Sequence, residues 1–114
     1  MQQVHLDEEK LALTLQDPRK FAPFALFECL FFKDGGYLSS PTQLLDHCDR
    51  ISHIPTALIH GRQDIVCRPS AAWLLHKKLP LSTMEFIPNA GHSDSEIGTE
   101  AALVRAADAM KAIS

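Results

Sequence analysis

Pro55-Thr56-Ala57-Leu58-Ile59-His60-Gly61-Arg62-Gln63-Asp64 decides how the rest of the chain is read. Thr56 to His60 is a short apolar run that ends at a glycine, the mark of a strand buried on both faces in a parallel sheet. Beyond it, Pro69 opens a helix on which Ala72, Leu75, His76 and Leu79 share a face, and Pro80 closes that helix. Thr83 to Ile87 reads as a second strand, stopped by Pro88, and a last helix, about Thr99 to Ala112, carries Leu103, Ala106, Ala107 and Met110 at core spacing. Strand, helix and strand in so few residues imply a right-handed crossover, so the two strands should be parallel neighbours. Two strands alone make a poor sheet, because a parallel pair needs both faces covered. Residues 54–114 therefore read as the carboxyl-terminal part of an α/β domain whose beginning lies elsewhere.

Upstream of Pro55 the character changes, and residues 1–53 read as all-helical. Helix-favouring runs from Leu6 to Phe32 are divided by Asp17-Pro18 and Pro23, and a turn follows at Asp34-Gly35-Gly36. Ser40-Pro41-Thr42-Gln43 has the form of a capping box, after which Leu44, Leu45, Cys48 and Ile51 fall on one helical face.

Composition excludes several classes. The chain has 114 residues, 46% hydrophobic and 22% charged, which is globular and not disordered or collagenous. A net charge of −3 with scattered basic residues leaves no electrostatic footprint for nucleic acid or an anionic membrane. The longest nearly apolar stretch, Phe21 to Phe32, is interrupted by Pro23 and Glu28 and is shorter than the roughly 20 residues of a membrane span. Met1 to Lys10 lacks the basic and apolar regions of a secretory signal. Cys29, Cys48 and Cys67 form no CxxC pair and leave one thiol over from any disulfide, so a cytoplasmic location is expected.

Ligands of open α/β sheets bind outside the carboxyl ends of the strands. The turns there are His60-Gly61-Arg62-Gln63-Asp64 and Asn89-Ala90-Gly91-His92-Ser93. On neighbouring parallel strands Asp64 and His92 should share one rim, where a carboxylate can hold an imidazole in one tautomer and stabilise its protonated form. That pair is the acid and base of a catalytic triad, in the chain order of the α/β-hydrolases. Taken singly, Asp64 reads more readily as a solvated turn or capping residue and His92 as a surface loop residue; as a pair after successive strands they read as a site.

From about Ala25 onward the sequence resembles the prolyl aminopeptidases, or proline iminopeptidases, of the α/β-hydrolase fold. The resemblance rests on Ile54-Pro55 before the strand, on His60-Gly61-Arg62-Gln63-Asp64-Ile65-Val66-Cys67, on Ala72-Trp73 with Leu75-His76, and on Gly91-His92-Ser93. It implies that Asp64 and His92 are the triad acid and base, that residues 1–53 are the end of a helical cap, and that residues 54–114 are the last part of the hydrolase core. It also covers Ala25-Leu26-Phe27-Glu28-Cys29-Leu30-Phe31-Phe32, where family members carry Ala-Arg-Ile-Glu-Asn-His-Tyr-Phe. By that likeness Glu28 binds the free amino group of the substrate, though Leu26, Cys29 and Leu30 replace the polar neighbours. Glu28 is the only charge between Phe21 and Phe32 and at helical spacing shares a face with Phe21, Phe24, Ala25 and Phe32, a costly place for an unpaired carboxylate. The plain alternative is an ion pair with Arg50 or Lys33.

No serine stands in G-x-S-x-G, and the nearest approach, Gly91-His92-Ser93-Asp94-Ser95, follows the wrong strand for a nucleophile elbow. Cys67 shares the turn of the expected acid and is a weak substitute nucleophile. The six histidines form no H-E-x-x-H, so no metal or other cofactor is expected. The reading is a carboxyl-terminal part of a serine exopeptidase acting on peptides with a free amino-terminal proline, with the missing amino-terminal half as its partner. A catalytically inactive truncated hydrolase, a small interaction domain, or an α/β-hydrolase with another substrate are the alternatives.

Overall fold

The computed structural model describes residues 8–112, so part of the amino-terminal reading lies outside the described residues. The chain divides between Gln43 and Leu44 into two compact units.

The later unit contains the parallel pair. Strand β1 (Thr56–Gly61) and strand β2 (Ser82–Ile87) run in register from Thr56 opposite Ser82 to Gly61 opposite Ile87. Between them lies a helix over Pro69–Lys78, entered through Pro69 at its first turn, where the missing N–H has no intrahelical role. His76, Lys77 and Lys78 occupy its last turn, the favourable end of the helix dipole for cations. Its exit is tied to the next strand: the Ser82 hydroxyl donates to the Leu79 carbonyl (2.6 Å) and accepts from His76 Nδ1 (2.7 Å), while Leu79 is buried. The final helix, Ile97–Met110, lays Ala102 against Ile87, Ala90 and the half-buried Ile59.

β1 is half-buried along Thr56 to His60, where the sequence pattern anticipates burial on both faces. The physical reason is the sheet itself, which has two strands among the described residues. Ala57, Leu58, Thr83 and Met84, with Ala106 and Met110 of the final helix, line an open groove of about 500 Å³.

The earlier unit is helical. Helix α1 (Glu8–Leu15) precedes helix α2 (Pro18–Lys33), which Asp17 caps by accepting from the Arg19 backbone N–H at 3.1 Å. Pro23 lies inside α2 instead of dividing it. The N–H that proline lacks would have bonded to the Arg19 carbonyl, so α2 forgoes one bond of its ladder there. Gly35, Gly36 and Tyr37 all take positive φ in the tight turn after α2, and Phe31 meets Tyr37 edge-on at 5.8 Å.

The helix anticipated after the capping box is short and broken. Helix α3 covers Gln43–Asp46, and a 3-10 turn over Cys48–Ile51 follows. The cap sits one residue early, since the Ser39 N–H and hydroxyl both donate to Gln43 Oε1 (2.7 and 2.6 Å). Asp46, His47 and Asp49 are weak helix formers, and Cys48 is the one fully buried anchor of this segment. With α3 placed, the crossover helix Pro69–Lys78 is α4 and the final helix Ile97–Met110 is α5. No helix among the described residues is long and apolar enough to cross a membrane.

Candidate active site

The site lies where β1 and β2 end side by side. Gly61 closes β1, and a Cβ there would fall inside van der Waals contact of the Gly91 carbonyl oxygen and 2.6 Å from that of Ala90. Only glycine lets the two turns approach this closely. They are then laced together: the Arg62 N–H donates to the Ile87 carbonyl and the Gln63 N–H to the Ala90 carbonyl, each at 2.9 Å. Asn89 takes φ 57, a left-handed conformation that asparagine tolerates, and turns the chain after β2 so that Ala90 and Gly91 lie against Gly61. Glu96 holds the far side of this turn by accepting from the Gly91 N–H at 3.0 Å.

Asp64 is buried, at 6% exposure. Its Oδ1 accepts from the backbone N–H groups of Val66 (2.8 Å) and Cys67 (2.9 Å), and its Oδ2 accepts from His92 Nδ1 at 2.9 Å. Burial pushes the Asp64 carboxyl up and is the largest single influence. The His92 hydrogen bond, the Cys67 and Val66 N–H groups and the attraction of His92 together outweigh it, so the pKa falls below the usual carboxylate value. An ionised carboxylate only accepts, so His92 carries its proton on Nδ1 and keeps the Nε2 lone pair for chemistry. The His92 side chain is 32% exposed, enough for a reactant to reach it. Asp64 and His92, picked out from sequence on the rim, are thus hydrogen-bonded partners.

His60 completes the arrangement; the sequence places it at the strand end and in the motif that carries the family likeness, without a role in the site. Its Nε2–H donates to the Cys67 carbonyl at 2.9 Å and lies 3.5 Å from Asp64 Oδ2, while its ring stands edge-on to Phe86 on the paired strand. The i,i+4 spacing of His60 and Asp64 across a strand end was the available signal. Glu96 had none, because its bond to Gly91 depends on the path of the loop.

Glu28 belongs to the other unit, on α2, where it is half-buried. The aromatic enclosure anticipated around it is open: Phe24 is 58% and Phe32 71% exposed. Among the described residues of this unit Glu28 makes no hydrogen bond or ion pair, with Lys33 or otherwise, and a carboxylate with access to water needs none.

No family model matches the chain. Individual relatives do. The chain is 48% identical over 85 residues to a probable proline iminopeptidase of Leptolyngbya boryana, covering 75% of this chain and 26% of the relative. It is 39% identical over 98 residues to a proline iminopeptidase of Arabidopsis thaliana, covering 86% and 26%, and 40% identical over 106 residues to one of Xanthomonas citri, covering 92% and 33%. The chain therefore spans a quarter to a third of the length of these curated relatives, and the match falls on their carboxyl-terminal part.

Proposed function

The chain belongs to the proline iminopeptidase family, as the counterpart of the carboxyl-terminal part of its members, and from that we propose that it supplies the acid and base of a serine exopeptidase that releases an amino-terminal proline from peptides. The observation that carries this reading is the 2.9 Å bond between Asp64 Oδ2 and His92 Nδ1 at the ends of neighbouring parallel strands. In this reading a serine from the amino-terminal part of the fold attacks the scissile carbonyl. His92 Nε2 takes the hydroxyl proton as the bond to carbon forms, and returns it to the leaving amine. Asp64, held ionised by its three hydrogen bonds, fixes the tautomer and stabilises the imidazolium. Glu28 binds the substrate ammonium, which makes the enzyme an aminopeptidase. The residues call for no metal or cofactor in this chemistry, and the three free thiols suit a reducing cytoplasm.

The test is complementation. The chain is mixed, or co-expressed, with the amino-terminal two-thirds of the Xanthomonas citri relative, and hydrolysis of proline 4-nitroanilide is followed. The expected result is no turnover by either part alone, turnover by the pair, and its loss with His92→Gln. A folded pair without turnover would overturn the catalytic reading in favour of an inactive or purely interacting protein.

A further inference from the structure

Beside the proton-transfer chemistry, the same rim offers ligands for a cation. A depression of about 350 Å³ is lined by His60, Asp64, Cys67, His92, Asp94 and Thr99. The carboxylate of Asp64, the sulfur of Cys67 and a ring nitrogen of His92 all lie within 4.8 Å of one another. Oxygen, sulfur and nitrogen from three residues are a donor set for a borderline-soft divalent cation and a poor one for Mg²⁺ or Ca²⁺. Cys67 is exposed and His92 partly so, which leaves an entry path. A second observation points the same way: Thr99 is 7% exposed and its Oγ1 is the one buried side-chain polar atom without a hydrogen-bond partner among the described residues. Buried hydroxyls normally have partners. A cation with three protein ligands keeps a fourth position for water, and a water held there would supply one.

We propose that Asp64, Cys67 and His92 form a binding site for a thiophilic divalent cation of the Zn²⁺ class. His92 Nδ1 and Asp64 Oδ2 lie 2.9 Å apart, and opening that separation to about 3.3 Å gives the tetrahedral angle at a cation about 2.0–2.1 Å from each. Binding breaks the S–H bond of Cys67 and releases that proton to solvent. The His92 proton moves from Nδ1 to Nε2, so one proton leaves per cation and nothing is oxidised or reduced. The consequence for activity rests on the catalytic reading above: with its proton on Nε2, His92 can no longer accept one from a serine, so an occupied site is a switched-off enzyme.

The chain itself is titrated with Co²⁺ and then Zn²⁺. The expected result is a near-ultraviolet thiolate-to-Co²⁺ charge-transfer band with the visible bands of four-coordination, abolished by Zn²⁺, with one proton released per cation. Cys67→Ser should remove the band, His92→Gln should weaken binding at least 10-fold, and Cys29→Ser with Cys48→Ser should change neither. A band that survives Cys67→Ser, or an affinity untouched by His92→Gln, overturns the site. Should a variant fail to fold, nuclear magnetic resonance of the unaltered chain decides: Zn²⁺ must move the His92 ring proton from Nδ1 to Nε2, and an unchanged tautomer in the presence of saturating Zn²⁺ refutes the proposal. Inhibition of the complemented enzyme by Zn²⁺, reversed by chelator, is a separate arm. Binding without inhibition would leave the site standing and count against His92 as the catalytic base.

Discussion

Asp64 is held by three hydrogen bonds in a buried turn, and its behaviour with pH follows from them. Its folded pKa lies below the ordinary value of 3.8. A carboxyl depressed on folding stabilises the native state above its unfolded pKa, and that contribution is lost as pH falls through the folded pKa. The thermal midpoint of the chain should therefore exceed that of Asp64→Asn near neutrality, and the gap should close below about pH 4. A gap that stays constant into acid would show that packing, and not charge, sets the difference. In the complemented enzyme Asp64→Asn should lower kcat by roughly 10⁴-fold, the loss associated with a base left in the wrong tautomer. At Gly61 the relevant atom is a carbonyl of the facing turn. Gly61→Ala should force the turns apart, cost roughly 1–3 kcal/mol and weaken the Asp64–His92 bond, which the His92 Nδ1 proton resonance and a urea titration would report together.

Among the elements, α2 and α4 bear opposite marks of proline. Pro69 starts α4, whereas Pro23 interrupts the hydrogen-bond ladder of α2 well past its first turn. Pro23→Ala restores the bond to the Arg19 carbonyl and should raise both helicity and the thermal midpoint, by circular dichroism, with a gain of up to about 3 kcal/mol. No gain would mean that the turn at Pro23 is held in its place by packing. The seam between α4 and β2 is set by Leu79 and Ser82. Leu79→Ala removes a buried side chain that few others can replace and should cost about 2–5 kcal/mol, read from a denaturant midpoint.

For the whole molecule, the salient fact is how little is buried. The buried apolar residues described are Cys48, Leu79, Ile87, Ala90 and Ala102, while Leu26, Phe27, Phe32, Trp73 and Ile97 are exposed among many others. Among the described residues the sheet has only two strands, so each has an outer edge without a described partner, which invites association. The chain should show concentration-dependent sedimentation and a broad thermal transition, and the amino-terminal part of a relative should sharpen that transition and suppress self-association. A dilute monomer with a sharp cooperative transition would contradict this expectation.

Local chemistry was legible in the sequence itself. A run of apolar residues closed by glycine, prolines at helix starts and the short crossover were enough for two parallel strands with Asp64 and His92 at their ends, because these features act over a few residues. Family likeness on His60 to Cys67 and Gly91 to Ser93 added the chemistry that such a pair can do. Only the tertiary structure could decide that Glu96 grips Gly91, that His60 reaches the Cys67 carbonyl and approaches Asp64, and that Cys67, His92 and Thr99 share one depression. Those contacts depend on how far apart two turns settle once their backbones touch, and no periodicity within either turn contains that distance. The half-burial of β1 is foreshadowed by the number of strands and not by the pattern of β1 itself: burial is a property of what surrounds a strand, and its own residues specify only what it would prefer to touch.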